Sequence, residues 1–172
     1  MTTDRFDITA TAQGTPTPEI VGALLRSLLE ERFALATHRE SRDLPTYRLT
    51  LMRSDHRLGP KLVKSDVDCA LARGTVPDPC TARAATGGIL ATAILFKNFV
   101  NMLQSSVDRT ISDQTGLTGA YDVSLEWAAQ PDDTSKPSLV TALQKQLGLK
   151  LESARGLVNV LVIDHVEKPT PD

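Results

Sequence analysis

Ser138–Val166 reads SLVTALQKQLGLKLESARGLVNVLVIDHV, and this stretch decides the fold. Ser138 can cap a helix, and Leu139, Val140, Leu143 and Leu147 recur at helical spacing. Gly148 then supplies the helical stop. Leu149–Ser153 predicts a strand, Gly156 a turn, and Leu157–Val166 a second, longer strand. Leu157, Val158, Val160, Leu161, Val162 and Ile163 leave that strand almost wholly apolar, so it is expected to be covered on both faces. The order is helix, strand, turn, strand.

The same order recurs upstream. Leu95, Phe96, Phe99, Val100 and Leu103 mark an amphipathic helix starting near Ala93. A short strand follows around Thr110–Ser112, and Thr115–Gly119 carries two glycines suited to a turn. Tyr121, Val123, Leu125 and Trp127 then face one way, with Asp122, Ser124 and Glu126 opposite. Nearer the start, Phe6–Ala10 alternates like a strand. Thr17 and Pro18 open a helix to Arg32 whose face is Ile20, Val21, Leu24, Leu25, Leu28 and Leu29. Phe33–Glu40 predicts a strand, Leu44-Pro45 a turn, and Tyr47, Leu49 and Leu51 another strand.

The expectation is therefore an α+β fold of three helix-plus-β-hairpin units, an internal βαββ-like repeat within one domain, 1–172. The units are 5–52, 89–128 and 138–168, each helix lying on a mainly antiparallel sheet. Residues 53–88, with Gly59-Pro60, Pro77, Pro79 and Gly87-Gly88, form a long irregular connection. Gln130–Pro137 is a shorter polar linker, and Pro169–Asp172 a tail.

Composition narrows the function classes. The chain has 172 residues, 41% apolar and 23% charged, enough for a sizeable core. Nineteen Lys+Arg against twenty-one Asp+Glu give a net charge of −2. They are interspersed, without a basic stripe, and aromatics are few, which argues against nucleic acid. No apolar run reaches the roughly 18 residues of a membrane span. Met1–Arg5 lacks the cationic start and apolar stretch of a signal peptide.

Cys69 and Cys80 are the only cysteines. They admit three readings: a disulfide across the long connection, two unrelated thiols, or a metal pair. The spacing is not C-x-x-C and no histidine is close. A bridge would place maturation outside the reducing cytoplasm. Among the histidines, His38 is expected on an exposed sheet face and His56 in solvent. Asp164 and His165, adjacent on a strand, point to opposite faces and form no dyad with each other. No zinc-peptidase, nucleophile-elbow or phosphate-loop motif is present. Asp122 and Glu126 would stand ~13 Å apart, too far to share a proton. Asp66/Asp68 and Asp132-Asp133 read as solvated loop carboxylates rather than a calcium site. No cofactor and no metal is implied, and no catalytic residue stands out.

A family pattern runs through Arg5–Ile8, Leu28-Leu29-x-x-Arg32-Phe33, His38-Arg39-Glu40 and Leu44-Pro45-x-Tyr47. It continues in Gly59–Leu62, Asp113-x-Thr115–Gly119-x-Tyr121-Asp122 and Leu125–Trp127, and ends in Leu143–Glu152 and Val162–Pro169. In these stretches the chain resembles a family of uncharacterised soil-bacterial proteins. Phe96-Lys97-Asn98-Phe99, within Ala91–Val107, departs from the pattern. The resemblance implies a secretion signal and further N-terminal segment, so that this chain starts inside the family pattern. It also implies two cysteines in this connection, favouring the disulfide. Related domains are fused to membrane metallopeptidase sensors of the antibiotic-response type, which implies envelope sensing or binding. The last unit is similar in pattern to the periplasmic interaction domains of secretins and outer-membrane receptors.

The expected function is an extracytoplasmic, periplasmic or secreted, binding or protein-interaction module. Its partner is an unknown envelope protein or ligand. A partner strand would add to an edge formed by Tyr121, Val123, Leu125 and Trp127. The alternatives are a hydrolase assembled only in the fold, with His38, Asp113 and Asp164 as first candidates, or an inert fragment of a larger sensor protein.

Overall fold

The computed structural model describes residues 5–11, 14–67, 69, 80–130 and 132–169. Asp68, Pro77, Pro79 and the tail beyond Pro169 lie outside them. The element order is α1 (Pro18–Phe33), β1 (Ala36–Leu51), β2 (Leu62–Lys64), β3 (Ala82–Ala85), β4 (Gly88–Leu95), α2 (Phe96–Gln104), β5 (Ile111–Asp113), β6 (Ala120–Glu126), α3 (Leu139–Ala142) and β7 (Leu149–His165). A π-helical segment, Leu143–Leu147, extends α3. One sheet runs β5-β1-β7 and the other β2-β6-β4-β3. The chain divides into two compact units: a terminal one, Met1–Ser41 with Asn159–Asp172, and a central one, Arg42–Val158.

The central unit follows from alternation. On β6, Tyr121, Val123 and Leu125 are buried while Asp122 and Ser124 are less so. They pack with Ile89 of β4, Leu62 of β2, Phe96, Phe99 and Leu103 of α2, and Leu143, Leu147 and Leu149. Fully burying each such side chain contributes roughly 1.5–3 kcal/mol. The second sheet is antiparallel throughout, with Leu62↔Val123 and Ile89↔Leu125 in register. In the first sheet β5 pairs with β1 in parallel, Tyr47 opposite Ile111.

The mixed α+β class is as the sequence predicts; the three hairpins are not there. β1 runs unbroken through Leu44-Pro45. Pro45 lies outside the Tyr47–Leu49 span that β5 pairs, so one side of the strand has no ladder donor to lose there. β7 likewise runs straight through Gly156, where a Cβ would meet Thr46 Oγ1 at an ordinary 3.7 Å. Residues 5–11 are not a strand. β4 occupies Gly88–Leu95, so α2 starts at Phe96 rather than near Ala93. The connection expected to be irregular holds β2 and β3, and β3 forms a hairpin with β4.

The terminal unit holds α1 and the outer parts of β1 and β7. Pro18 opens α1 as expected, and the helix closes at Ala34 in the left-handed region, φ 48°. Phe6 meets Phe33 edge-on at 5.8 Å, and the Glu167 amide donates to the Phe33 carbonyl at 2.7 Å. Ser41 Oγ donates to Asn159 Oδ1 at 2.8 Å. No helix among the described residues is long and apolar enough to cross a membrane.

Candidate functional site

The strand expected to offer an edge is an interior one. Tyr121, Val123, Leu125 and Trp127 are all buried, and β6 is paired by β2 on one side and β4 on the other. Beyond the end of β2 the ladder is completed by a side chain. Gln146 Nε2 donates to the Glu126 carbonyl at 2.7 Å, and the Glu126 amide donates to Gln146 Oε1 at 3.0 Å. The cleanest alternation in the sequence therefore marks the core and not a docking edge, because a half-buried surface strand and a central strand of a one-face sheet share the same period.

Cys69 and Cys80 are bridged, with Cα atoms 5.8 Å apart. The bridge borders an irregularity in β4, where the register to β6 shifts between Ala91 and Ile94. Ala93 sits there at φ 53°, a conformation costing about 1–2 kcal/mol for a residue with a Cβ. Its amide donates to Asp122 Oδ1 at 2.8 Å. Its carbonyl oxygen lies 3.4 Å from Cys69 Sγ, a packing contact, since a bridged sulfur carries no proton. Asp122 thus holds the bulge. Nothing in the residue pattern signals this, because a bulge alanine looks like any small strand residue.

Two of the three candidate acid–base residues, His38 and Asp164, meet, and Asp113 does not join them. His38 Nδ1 lies 2.8 Å from both carboxylate oxygens of Asp164, and Nε2 lies 3.8 Å from Glu40. The hydrogen bond to Asp164, then its charge and that of Glu40, hold the imidazole pKa above its ordinary value. Both partners are exposed on strand surface. Asp113 is engaged elsewhere: its Oδ1 accepts from the Thr115 amide at 2.9 Å and from Thr115 Oγ1 at 2.8 Å. Thr115 Oγ1 in turn accepts from the Leu117 amide, closing the turn. His165 pairs with Glu167 at 2.7 Å, so Asp164 and His165 form no dyad with each other. Asp133 Oδ1 accepts from the amide and hydroxyl of Ser135, a local loop staple that lowers its pKa. Among the described residues no three acidic, His or Cys side chains gather as metal ligands.

The surface best suited to binding is on α1. Ile20, Val21, Leu24 and Leu25 are each about half exposed (Leu24 and Leu25 at 50%). Val21, Leu24, Leu25 and Leu28 line a groove of about 330 Å³ with Ala10 and Thr11. Arg26 and Glu30, paired at 2.8 Å, flank it on the polar side. The amphipathic period was plain in the sequence; that its apolar face would stay open was not.

No curated protein and no solved structure matches the chain. One family model matches residues 1–166, nearly its whole length, and the chain belongs to that family, described as a protein of unknown function (DUF3738).

Proposed function

We propose that the chain is an extracytoplasmic protein-interaction module, and that it recognises its partner through the apolar face of α1. The observation carrying this reading is the run Ile20, Val21, Leu24 and Leu25, half exposed on one side of a 16-residue helix. A contiguous apolar patch of this kind marks interaction surfaces. The groove beside Leu24, Leu25 and Leu28 suits the apolar side-chain stripe of an envelope protein segment. The Cys69–Cys80 bridge supports a compartment more oxidising than the cytoplasm. Envelope sensing is the form of interaction that the family resemblance favours. A hydrolase built on His38 and Asp164 is the weaker reading, since the pair is exposed and Asp113 is tied to Thr115.

Two experiments test it. Saturable binding to a detergent extract of the cell envelope is expected for the native chain and lost in Leu24→Asp/Leu25→Asp. Equal binding by both proteins would refute α1 as the surface, and no binding by either would refute the module. Alkylation in intact producing cells, read by intact mass, is expected to leave both cysteines unmodified. Two alkylated thiols would remove the compartment claim.

A further inference from the structure

We infer that β7 pairs with β7 of a second copy of this chain, joining the two in a closed antiparallel dimer. The strand is 17 residues long and terminates its sheet, so among the described residues its outer side has no neighbouring strand. A long open edge offers a row of unpaired backbone donors and acceptors. Natural edges are blunted with charge, proline or irregularity, whereas β7 carries its charges, Lys150, Glu152, Arg155 and Asp164, only outside its middle stretch. Between Arg155 and Asp164 there is no charged residue and no proline.

The sequence expectation of two covered faces fails here in an instructive way. Val158, Val160 and Val162 are half-buried, whereas Leu157, Leu161 and Ile163 are 80%, 60% and 61% exposed. One face is packed and the other is bare, with large aliphatic side chains where solvent-facing positions normally carry polar ones.

The strand is complementary to a second copy of itself. Opposed residues of an antiparallel pair project from the same face. With the two-fold axis at Val160, that residue opposes its own counterpart, Val158 opposes Val162, Leu157 opposes Ile163, and Asn159 opposes Leu161. Every valine then meets a valine, and the bare Leu and Ile positions join into one apolar surface. Charge selects the same orientation. An antiparallel copy brings the Arg155 end of one strand, where Arg155 also pairs with Asp43 of its own chain at 3.2 Å, to the Asp164 and Glu167 end of the other. A parallel copy in register would set Arg155 on Arg155 and Asp164 on Asp164. The contact is isologous and closes on itself, leaving no open end for filament growth.

The dimer uses a strand edge, not the α1 face, so it stands or falls separately from the interaction role. Sedimentation velocity of the full chain, from about 1 µM to about 500 µM, is expected to show a reversible monomer–dimer equilibrium. Leu161→Lys/Ile163→Lys places charges on two already exposed positions and should weaken dimerisation roughly tenfold or more. Leu24→Lys/Leu25→Lys should leave it unchanged. Hydrogen exchange of the native chain should show Leu157–Ile163 amides more protected at high than at low concentration, which decides the matter even where the lysine variant fails to fold. A monomer at every concentration, a dimer broken by the α1 variant but not the β7 variant, open-ended growth, or exchange independent of concentration would each overturn the proposal.

Discussion

Gly59 and Gly148 meet backbone to backbone. The Gly59 amide donates to the Leu147 carbonyl at 2.9 Å, and the Lys61 amide to the Gln146 carbonyl at 2.9 Å. A Cβ on Gly148 would lie 2.6 Å from the Gly59 nitrogen, and Gly148 also sits at φ +70°. Gly148→Ala therefore combines a left-handed backbone cost of about 1–2 kcal/mol with a forced separation of the two segments costing about as much again. Urea unfolding followed by the fluorescence of Trp127, the only tryptophan, should show a loss of roughly 2–4 kcal/mol. A change within about 0.5 kcal/mol would mean that the contact yields freely. His38 carries a prediction of another kind. Its pKa is raised above 6.5 by Asp164, so the pair's contribution to stability is fully present below the unfolded value and is lost as pH rises through the folded one. NMR titration should place the His38 midpoint above 6.5 in the native chain and closer to 6.5 in Asp164→Asn. The stability difference between the two proteins should shrink as pH climbs past that midpoint. Identical His38 titrations would show that the cross-strand contact is not formed in solution.

Gln146 acts as a substitute strand residue. The π-helical segment carries it to β6, where its amide answers the exposed N–H and C=O of Glu126. Gln146→Leu keeps the bulk and removes both hydrogen bonds. A loss of roughly 1–2 kcal/mol is expected, with faster hydrogen exchange at the Glu126 amide. Gln146→Glu, which keeps an acceptor but no donor, should fall between. Unchanged exchange at Glu126 would refute the capping role. The helices were legible in the sequence because apolar period and punctuation agree: Pro18 opens α1, and Ser138 caps α3 by accepting from the Thr141 amide at 3.4 Å. The strand boundaries were not, because Pro45 and Gly156 carry turn chemistry yet sit inside long strands. What decides there is that β5 does not pair the strand on one side of Pro45, and that Thr46 packs beside Gly156, and both are tertiary facts. β4 was missed for a related reason. Gly88–Leu95 is a small-residue apolar run, whose period does not separate strand from helix, and it runs directly into α2.

Of the functional features, only the cysteines could be named from the sequence, and a pairing could be proposed only because there were two. The α1 face was readable as an amphipathic pattern and the β7 segment as a nearly continuous apolar run, but neither as an open surface. Period reports which residues share a side, and burial depends on what else the chain brings there. The bridge itself makes a testable contribution. Cys69 and Cys80 are 11 residues apart in sequence, and closing a loop of this size restricts the unfolded chain by roughly 3 kcal/mol at most. Because Cys69 packs against the Ala93 carbonyl, the bridge also steadies the bulge that Asp122 holds. Adding reductant should therefore lower the urea midpoint of the native chain by an amount equivalent to up to ~3 kcal/mol, while Cys69→Ser/Cys80→Ser should match the reduced protein and ignore reductant. Hydrogen exchange at the Ala93 amide should quicken in both. If reduction leaves stability and Ala93 exchange unchanged, the bridge is not a constraint on the fold. Loss of stability without faster exchange at Ala93 would locate its effect in the unfolded chain alone.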